Sequence, residues 1–280
     1  MFLSGRSVFA TIVGAVFGAM LGACALAQAD PLFTDSFALQ NSYAGAPAPG
    51  KSAGRYTVID GTGSANSNPA GTWTARDGTL TYSRSPSNPA TSGDNYNYVS
   101  SLLLSTGTTP ATGNTAGLSA FTVTTTFNAI PPANTAQQGL IFSGSIGSGP
   151  GTGGYVLEDD NGQGSRLVLL AETGNELLGD EAVDGAGTGQ VIGDCGSLTA
   201  GDSYKVSVTE YRSSDASGHT SFSATIVDLG PSNKATAVYS FSDKFNSGTF
   251  GGTLIGLRVR DPLDTDKPSF GPLCLSLPAP

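Results

Sequence analysis

The sequence predicts an all-β protein, a sandwich or barrel of short antiparallel strands. Beyond residue 29 helical spacing of apolar residues is nearly absent. Short alternating runs recur instead between Gly, Pro, Asn and Asp clusters, the pattern of half-buried strands joined by turns. Thr, Ser, Asn and Gly are abundant, with 39 glycines in 280 residues, a composition that suits pleated surfaces and turns needing positive φ. Lysine is scarce and charged residues are only 12% of the chain, as in strand-rich extracellular proteins.

The elements follow in order. Residues 1–29 read as a signal peptide. Arg6 supplies a positive start, "VFATIVGAVFGAML" (Val8 to Leu21) an apolar stretch, and "AQA" before Asp30 an A-x-A cleavage site. A second reading uses "LGAC", in which Cys24 is the lipidated first residue of an envelope-anchored lipoprotein. Both place the chain outside the cytoplasm, secreted, periplasmic or held at the envelope. The apolar stretch is shorter than the roughly 20 residues a spanning helix needs, and no later run is apolar enough to span. No Asn begins an N-x-Ser/Thr sequon, which favours a bacterial source. Residues 30–280 then form one domain, since the Gly/Pro/Ser/Thr stretches are evenly spread and none reads as a linker.

Within that domain "PLFTDSFAL" opens with Phe33 and Phe37 directed inward. "GRYTVID" is a short strand around Tyr56 and Val58. "GTWTARDGTLTYS" is a hairpin turning at "RDG", with Trp73 before it and Leu80 and Tyr82 after it; Trp73 reads as a core anchor. "YVSSLLLS" follows a polar loop. "AFTVTTTF" puts Phe121, Val123, Thr125 and Phe127 on one face and threonines on the other, while "QGLIFSGS" is apolar enough for a central strand. "GYVLEDDNGQGSRLVLLAE" is a hairpin around Asn161-Gly162, a strong turn signal. "YKVSVTEY" groups Tyr204, Val206 and Val208; "TSFSATIVDL" groups Phe222, Ala224 and Ile226; "TLIGLRVR" and "PLCLSL" close the chain.

This order, with "LFTDSF" first, "GTWTARDGTLTYS" early and the "YVLEDDNGQGSRLVLL" hairpin in the middle, resembles the concanavalin A-like lectin/glucanase superfamily. It is similar in particular to its bacterial laminin-G-like secreted domains. The resemblance implies a jelly roll of two packed antiparallel sheets, the last strand lying beside the first. It also implies sugar recognition, with calcium at loop tips in many relatives. The E-x-D-x-E or E-x-D-x-x-E strand motif of the superfamily's glucanases is missing.

Function classes narrow accordingly. With 13 Lys+Arg against 22 Asp+Glu and no basic cluster, nucleic acid is excluded as a partner. Cys195 and Cys274 remain after export and are expected to form a disulfide, the alternative being two separate buried thiols. In the central hairpin Asp159 and Asp160 are expected at a solvated tip, with Glu158 ending the incoming strand and Glu172 the outgoing one. Hydrolysis would need two carboxyls held on rigid elements facing one groove, and no catalytic residue is assigned. His219, in a polar turn without a nucleophile elbow, is not assigned either. Calcium is the cofactor these loops suit, with Asp159, Asp160, Asp261 and Asp264 as candidate ligands. For a glycan, stacking and hydrogen bonding point to Tyr96, Tyr98, Tyr155, Arg166 and Glu158, with Arg258 and Arg260 alternating nearby. The expected function is a secreted or surface-attached carbohydrate-binding, adhesion-like domain without catalysis. The alternatives are a glycoside hydrolase or lyase with an unusual acid pair, and a structural matrix protein.

Overall fold

A computed structural model describes residues 30–38, 41–44, 51–53, 56–62, 71–83, 98–104, 108–132, 136–145, 153–160, 166–173, 190–212, 219–231, 236–243, 252–260 and 267–279. The proposed leader, including Cys24, lies outside them. The first strands are β1 (Pro31–Asp35), β2 (Asn41–Ala44), β3 (Lys51–Ala53), β4 (Tyr56–Thr62), β5 (Thr72–Arg76), β6 (Thr79–Ser83), β7 (Tyr98–Leu104), β8 (Ala120–Asn128) and β9 (Gln137–Gly144). The rest are β10 (Gly153–Asp160), β11 (Arg166–Thr173), β12 (Gln190–Ser197), β13 (Tyr204–Tyr211), β14 (Ser221–Asp228), β15 (Ala237–Ser242), β16 (Leu254–Arg260), β17 (Ser269–Phe270) and β18 (Leu273–Ser276). Among the described residues no helix is long and apolar enough to cross a membrane.

The strands form two antiparallel sheets stacked as a jelly-roll sandwich. One sheet runs β15-β14-β13-β8-β17-β6-β5-β2, with β18 also on β8 and β1 on β18. The other runs β12-β11-β10-β9-β16-β7-β4-β3. The last strand does lie against the first, Phe33 opposite Leu275. Strand alternation fills the space between the sheets. Phe121, Val123 and Phe127 of β8, Val206 and Val208 of β13, and Phe222 and Ala224 of β14 meet Leu140 and Phe142 of β9 and Tyr155 and Leu157 of β10. Thr122 and Thr124 of β8 face outward and pair across strands, Thr122 with Thr209 at 2.8 Å and Thr124 with Ser207 at 2.9 Å.

Trp73 is fully buried and ties the layers together. Its ring packs on Tyr82 and Phe270, and its indole N–H donates across the interior to Ser100 Oγ at 2.9 Å. The β5–β6 turn is the two-residue loop Asp77-Gly78 with φ of 51° and 85°. Two positive φ values match the right-handed strand twist, so Gly78 suits its place and Asp77 carries the modest strain.

Five strands lack the alternation or length that marks the others in the sequence. Four of them, β2, β3, β12 and β15, end the strand paths of the two sheets; the fifth, β17, has two residues. An edge strand packs on one neighbour only and tolerates polar residues and glycines, so its pattern is diluted. Val238 of β15 is 64% exposed and Val191 of β12 is 56% exposed.

Replacing Trp73 by Phe removes the inter-sheet hydrogen bond and leaves the Ser100 hydroxyl buried. The expected loss is about 1–3 kcal/mol, read from urea unfolding monitored by far-ultraviolet dichroism. A loss below a few tenths would show that the indole N–H contributes nothing to sheet registration.

Candidate functional site

The outward side of the eight-stranded sheet carries charge, and that charge is buried. Leu103, Ile141 and Val156 form a second apolar cluster on this side, opposite the main core. Gly139 lies between Arg258 of β16 and Glu158 of β10 in one cross-strand row. A Cβ at Gly139 would sit 3.3 Å from Arg258 Cβ and 3.4 Å from Glu158 Oε2. The missing side chain therefore leaves the row open for the guanidinium. Arg258 Nε stands 3.2 Å from Glu158 Oε2, and its Nη1 pairs with Glu172 Oε2 of β11. Arg258 and Glu158 are each 1% exposed at the side chain. Arg260 joins through Nη1, 3.8 Å from Glu158 Oε1, and stays 28% exposed. Two arginines and two glutamates make a cluster with no net formal charge.

Toward the hairpin end of the same face Arg166 opens β11 and pairs with Asp194 of β12, both about two-fifths exposed. Asp194 Oδ1 also accepts from the Gly196 amide at 2.8 Å. Arg166 and Asp194 on neighbouring strands, with Arg260 set apart from them by β10 and β9, form a ledge of partly exposed hydrogen-bonding groups on the face that carries the buried Arg258 cluster.

This geometry bears on catalysis. Glu158 and Glu172 do converge in a sheltered place, which the turn-tip expectation did not foresee. Arg258, however, bridges them. Glycosidase acids flank their substrate directly, about 5–9.5 Å apart. Here the carboxylates orient guanidinium groups.

Several expectations are corrected. Asp159 is not at a wet tip: β10 continues through Asp160, and Asp159 is fully buried at core parity. It cannot serve as an exposed calcium ligand. Asp160 is the last residue of the strand, opposite Arg166, so it too precedes the turn. Tyr155 does not face a ligand. Strand parity sends it inward, where it stacks on Phe142 and donates to Asp243 Oδ2 at 3.0 Å; burial, then the Asp243 charge, push its phenol well above the usual range. Glu158 is likewise buried and engaged by arginine, so it positions other groups instead of meeting a ligand directly. The Cys195–Cys274 bridge is overturned, since Cys195 is a free buried thiol. Cys195 points into the core beside Leu198 and Tyr204. Cys274 shares the outward face of Thr124 on the opposite sheet. Side chains on opposite sides of a sheet cannot approach the roughly 4 Å Cβ separation a disulfide requires.

Tyr98 begins β7; its side chain, and all of Tyr96, Asp261 and Asp264, lie outside the described residues. Among the described residues no three of His, Cys, Asp and Glu gather as a metal-ligand group.

A second buried charge network escaped the sequence reading. Glu210 of β13 is fully buried, accepting from Ser143 Oγ at 2.7 Å and from Arg212 Nε at 3.1 Å. The Arg212 guanidinium also donates to the carbonyls of Thr115, Leu118 and Gly252 at 3.1–3.3 Å and to Thr115 Oγ1 and Ser143 Oγ. Its Cζ lies 5.0 Å from the Phe121 ring centroid. One side chain thus staples β9, β13 and the loops before β8 and β16. The signal was present: Glu210 follows Tyr204, Val206 and Val208 at the same alternation. Burial raises the Glu210 carboxyl, and Ser143 and Arg212 offset part of that shift.

No family model matches the chain, and no curated protein matches it by sequence. Its structure is similar to arcelin-5, a lectin-like defence protein from Phaseolus vulgaris, at 10% identity and a TM-score of 0.46, over 85% of this chain and 97% of that one. It is also similar to a carbohydrate-binding module from Bacillus subtilis, at 12% identity and 0.41, over 79% of this chain and 95% of that one. A third likeness is to an alginate lyase from Aplysia kurodai, at 11% identity and 0.44, over 76% and 85%. At such identities neither ligand nor activity passes to this chain.

Two outcomes follow from the charge networks. Glu158→Ala leaves Arg258 buried with one partner fewer and is expected to cost about 3–5 kcal/mol, whereas Glu158→Ala with Arg258→Met recovers most of it. Equal losses in single and double variants, measured by urea unfolding, would disprove the coupling. For Glu210 the folded carboxyl is raised above its unfolded value of 4.5. The native state therefore holds the proton over a window beginning near pH 4.5, and stability falls as pH rises through it. Glu210→Gln is expected to flatten that decline between pH 4.5 and the raised value; an unchanged slope would assign the dependence elsewhere.

Proposed function

We propose that the chain is exported, freed of residues 1–29 or anchored through Cys24, and folds over residues 30–280 as one carbohydrate-binding sandwich that cleaves nothing. It would be a laminin-G-like member of the concanavalin A-like group, acting in adhesion or capture outside the cell. The observation that carries this reading is the ledge of Arg260, Arg166 and Asp194 on the outward side of the eight-stranded sheet. Arg166 and Asp194 sit on adjacent rigid strands, Arg260 stands apart on β16 beyond β10 and β9, and Glu158 and Asp194 hold the guanidinium groups in place. Paired donors and acceptors at fixed spacing match vicinal hydroxyls, and preorganisation lowers the entropic cost of binding.

The ledge favours a neutral glycan. Each arginine is paired with a carboxylate, and the chain carries a net charge of −9. A polyanionic chain would meet a repulsive field, and the two ledge arginines already carry carboxylate partners. Tyr96 and Tyr98 belong to the proposal as candidate stacking residues, read from the sequence alone. Calcium held by the Asp261 and Asp264 segment is a separate part of the proposal.

Neutral and acidic oligosaccharides on an array are the direct test. A neutral glycan is expected to bind with little change between low and moderate salt. Arg260→Ala and Arg166→Ala are each expected to weaken it by about tenfold, the value of one charged hydrogen bond, without loss of fold. Reducing-sugar or unsaturated-product release from the same glycans would overturn the non-catalytic reading. Binding that survives both arginine variants would move the site off this face.

A further inference from the structure

The open margin of the sandwich holds a cavity, on the other side of β12 from the ledge. It lies between the edge strand β12 and the β13–β15 margin of the opposite sheet, with a volume of about 120 Å³. Cys195, Leu198, Tyr204, Ile226, Asp228 and Tyr239 line it. Glycines in β12 shape this margin. A Cβ at Gly193 would fall 2.1 Å from the Phe241 ring, and one at Gly196 would fall 2.9 Å from the Tyr239 hydroxyl. Tyr239 and Phe241 can therefore lean in from β15, stacked with centroids 6.3 Å apart.

Asp228 gives the cavity its chemistry. It follows Phe222, Ala224 and Ile226 at core parity, ends β14, and is only 4% exposed. Its Oδ1 accepts from the Gly230 amide at 2.8 Å. Among the described residues no group donates to Oδ2, which is itself buried. A buried carboxylate oxygen without a donor is costly unless a partner supplies one. The other walls are aromatic or aliphatic, apart from the Cys195 thiol and Ser197. Burial pushes that thiol up to about 12, so it stays neutral and adds no charge.

We propose that this cavity binds a small primary ammonium compound, its charged head on Asp228 Oδ2 and its short apolar body against Leu198, Ile226 and the two tyrosines. The charge complements the one unsatisfied oxygen, and the tyrosine rings can add cation–π attraction. Size sets the ligand class. A dry cavity of about 150 Å³ takes benzene, so this slightly smaller one suits about five heavy atoms and excludes a hexose ring. The site is thus distinct from any glycan site on the ledge.

The test is methyl NMR of the intact protein, following Leu198 and Ile226 during titration with n-butylammonium chloride, n-butanol or sodium chloride. Saturable shifts are expected with butylammonium at a dissociation constant of about 1 mM. Butanol is expected to bind about tenfold more weakly or not at all, because it lacks the charged hydrogen bond. Asp228→Asn, nearly isosteric, is expected to abolish the preference for the amine. The absence of saturable shifts with butylammonium, or equal affinity for the alcohol, would overturn the proposal. If the Asn variant does not fold, the amine-against-alcohol comparison on the native protein decides alone.

Discussion

Side chains on a strand alternate between two faces, and in this protein one face of every central strand must enter a dry layer shared by two sheets. That constraint governs both the packing and the chemistry. The apolar residues of β8, β9, β10, β13 and β14 obey it simply. Their aromatic rings interlock around Phe142, Tyr155 and Phe222, with Tyr155 and Phe222 centroids 4.6 Å apart. The same alternation also carries acids inward at strand ends. Asp159, Glu210 and Asp228 all occupy core parity and are at most 4% exposed. A buried carboxylate demands compensation, and Glu210 and Asp228 meet that demand differently. Glu210 is held by Ser143 and the many-handed Arg212. Asp228 satisfies one oxygen with the Gly230 amide, leaves the other without a donor among the described residues, and lines the margin cavity.

The outward face of the eight-stranded sheet shows the complementary case. Glu158, Glu172 and Arg258 stand on the side that a simple sandwich would leave in water, yet they are buried. Burial makes their mutual pairing obligatory, because removing one partner would strand a charge where solvation is poor. The pairing also limits what the site can do. An arginine bridging two carboxylates keeps them as fixed hydrogen-bond acceptors. In the proposed reading the cluster is the rigid back of a glycan-recognition face whose partly exposed groups are Arg260, Arg166 and Asp194. Ammonium recognition at the β12–β15 margin uses an inward-facing acid instead, so the two surfaces on either side of one edge strand have different chemistry.

Local pattern, read from the chain alone, determined the all-β class, the central strands, the Asp77-Gly78 reversal and the burial of Trp73. These depend on alternation and turn chemistry, which act over a few residues. The edge strands β2, β3, β12 and β15 were not legible, because a strand with one neighbour needs no continuous apolar pattern. The tertiary structure decided whether an outward face is covered, and so turned Glu158 from a ligand contact into a buried anchor for arginines. It also decided that Cys195 and Cys274 point to opposite sides of different sheets, which parity of number could not reveal. Above all it brought Arg258 to Glu172 and Arg212 to Ser143 across long stretches of sequence. Alternation names the face a side chain takes, but the strand order and the cover over that face set its partners, and only the folded chain supplies those.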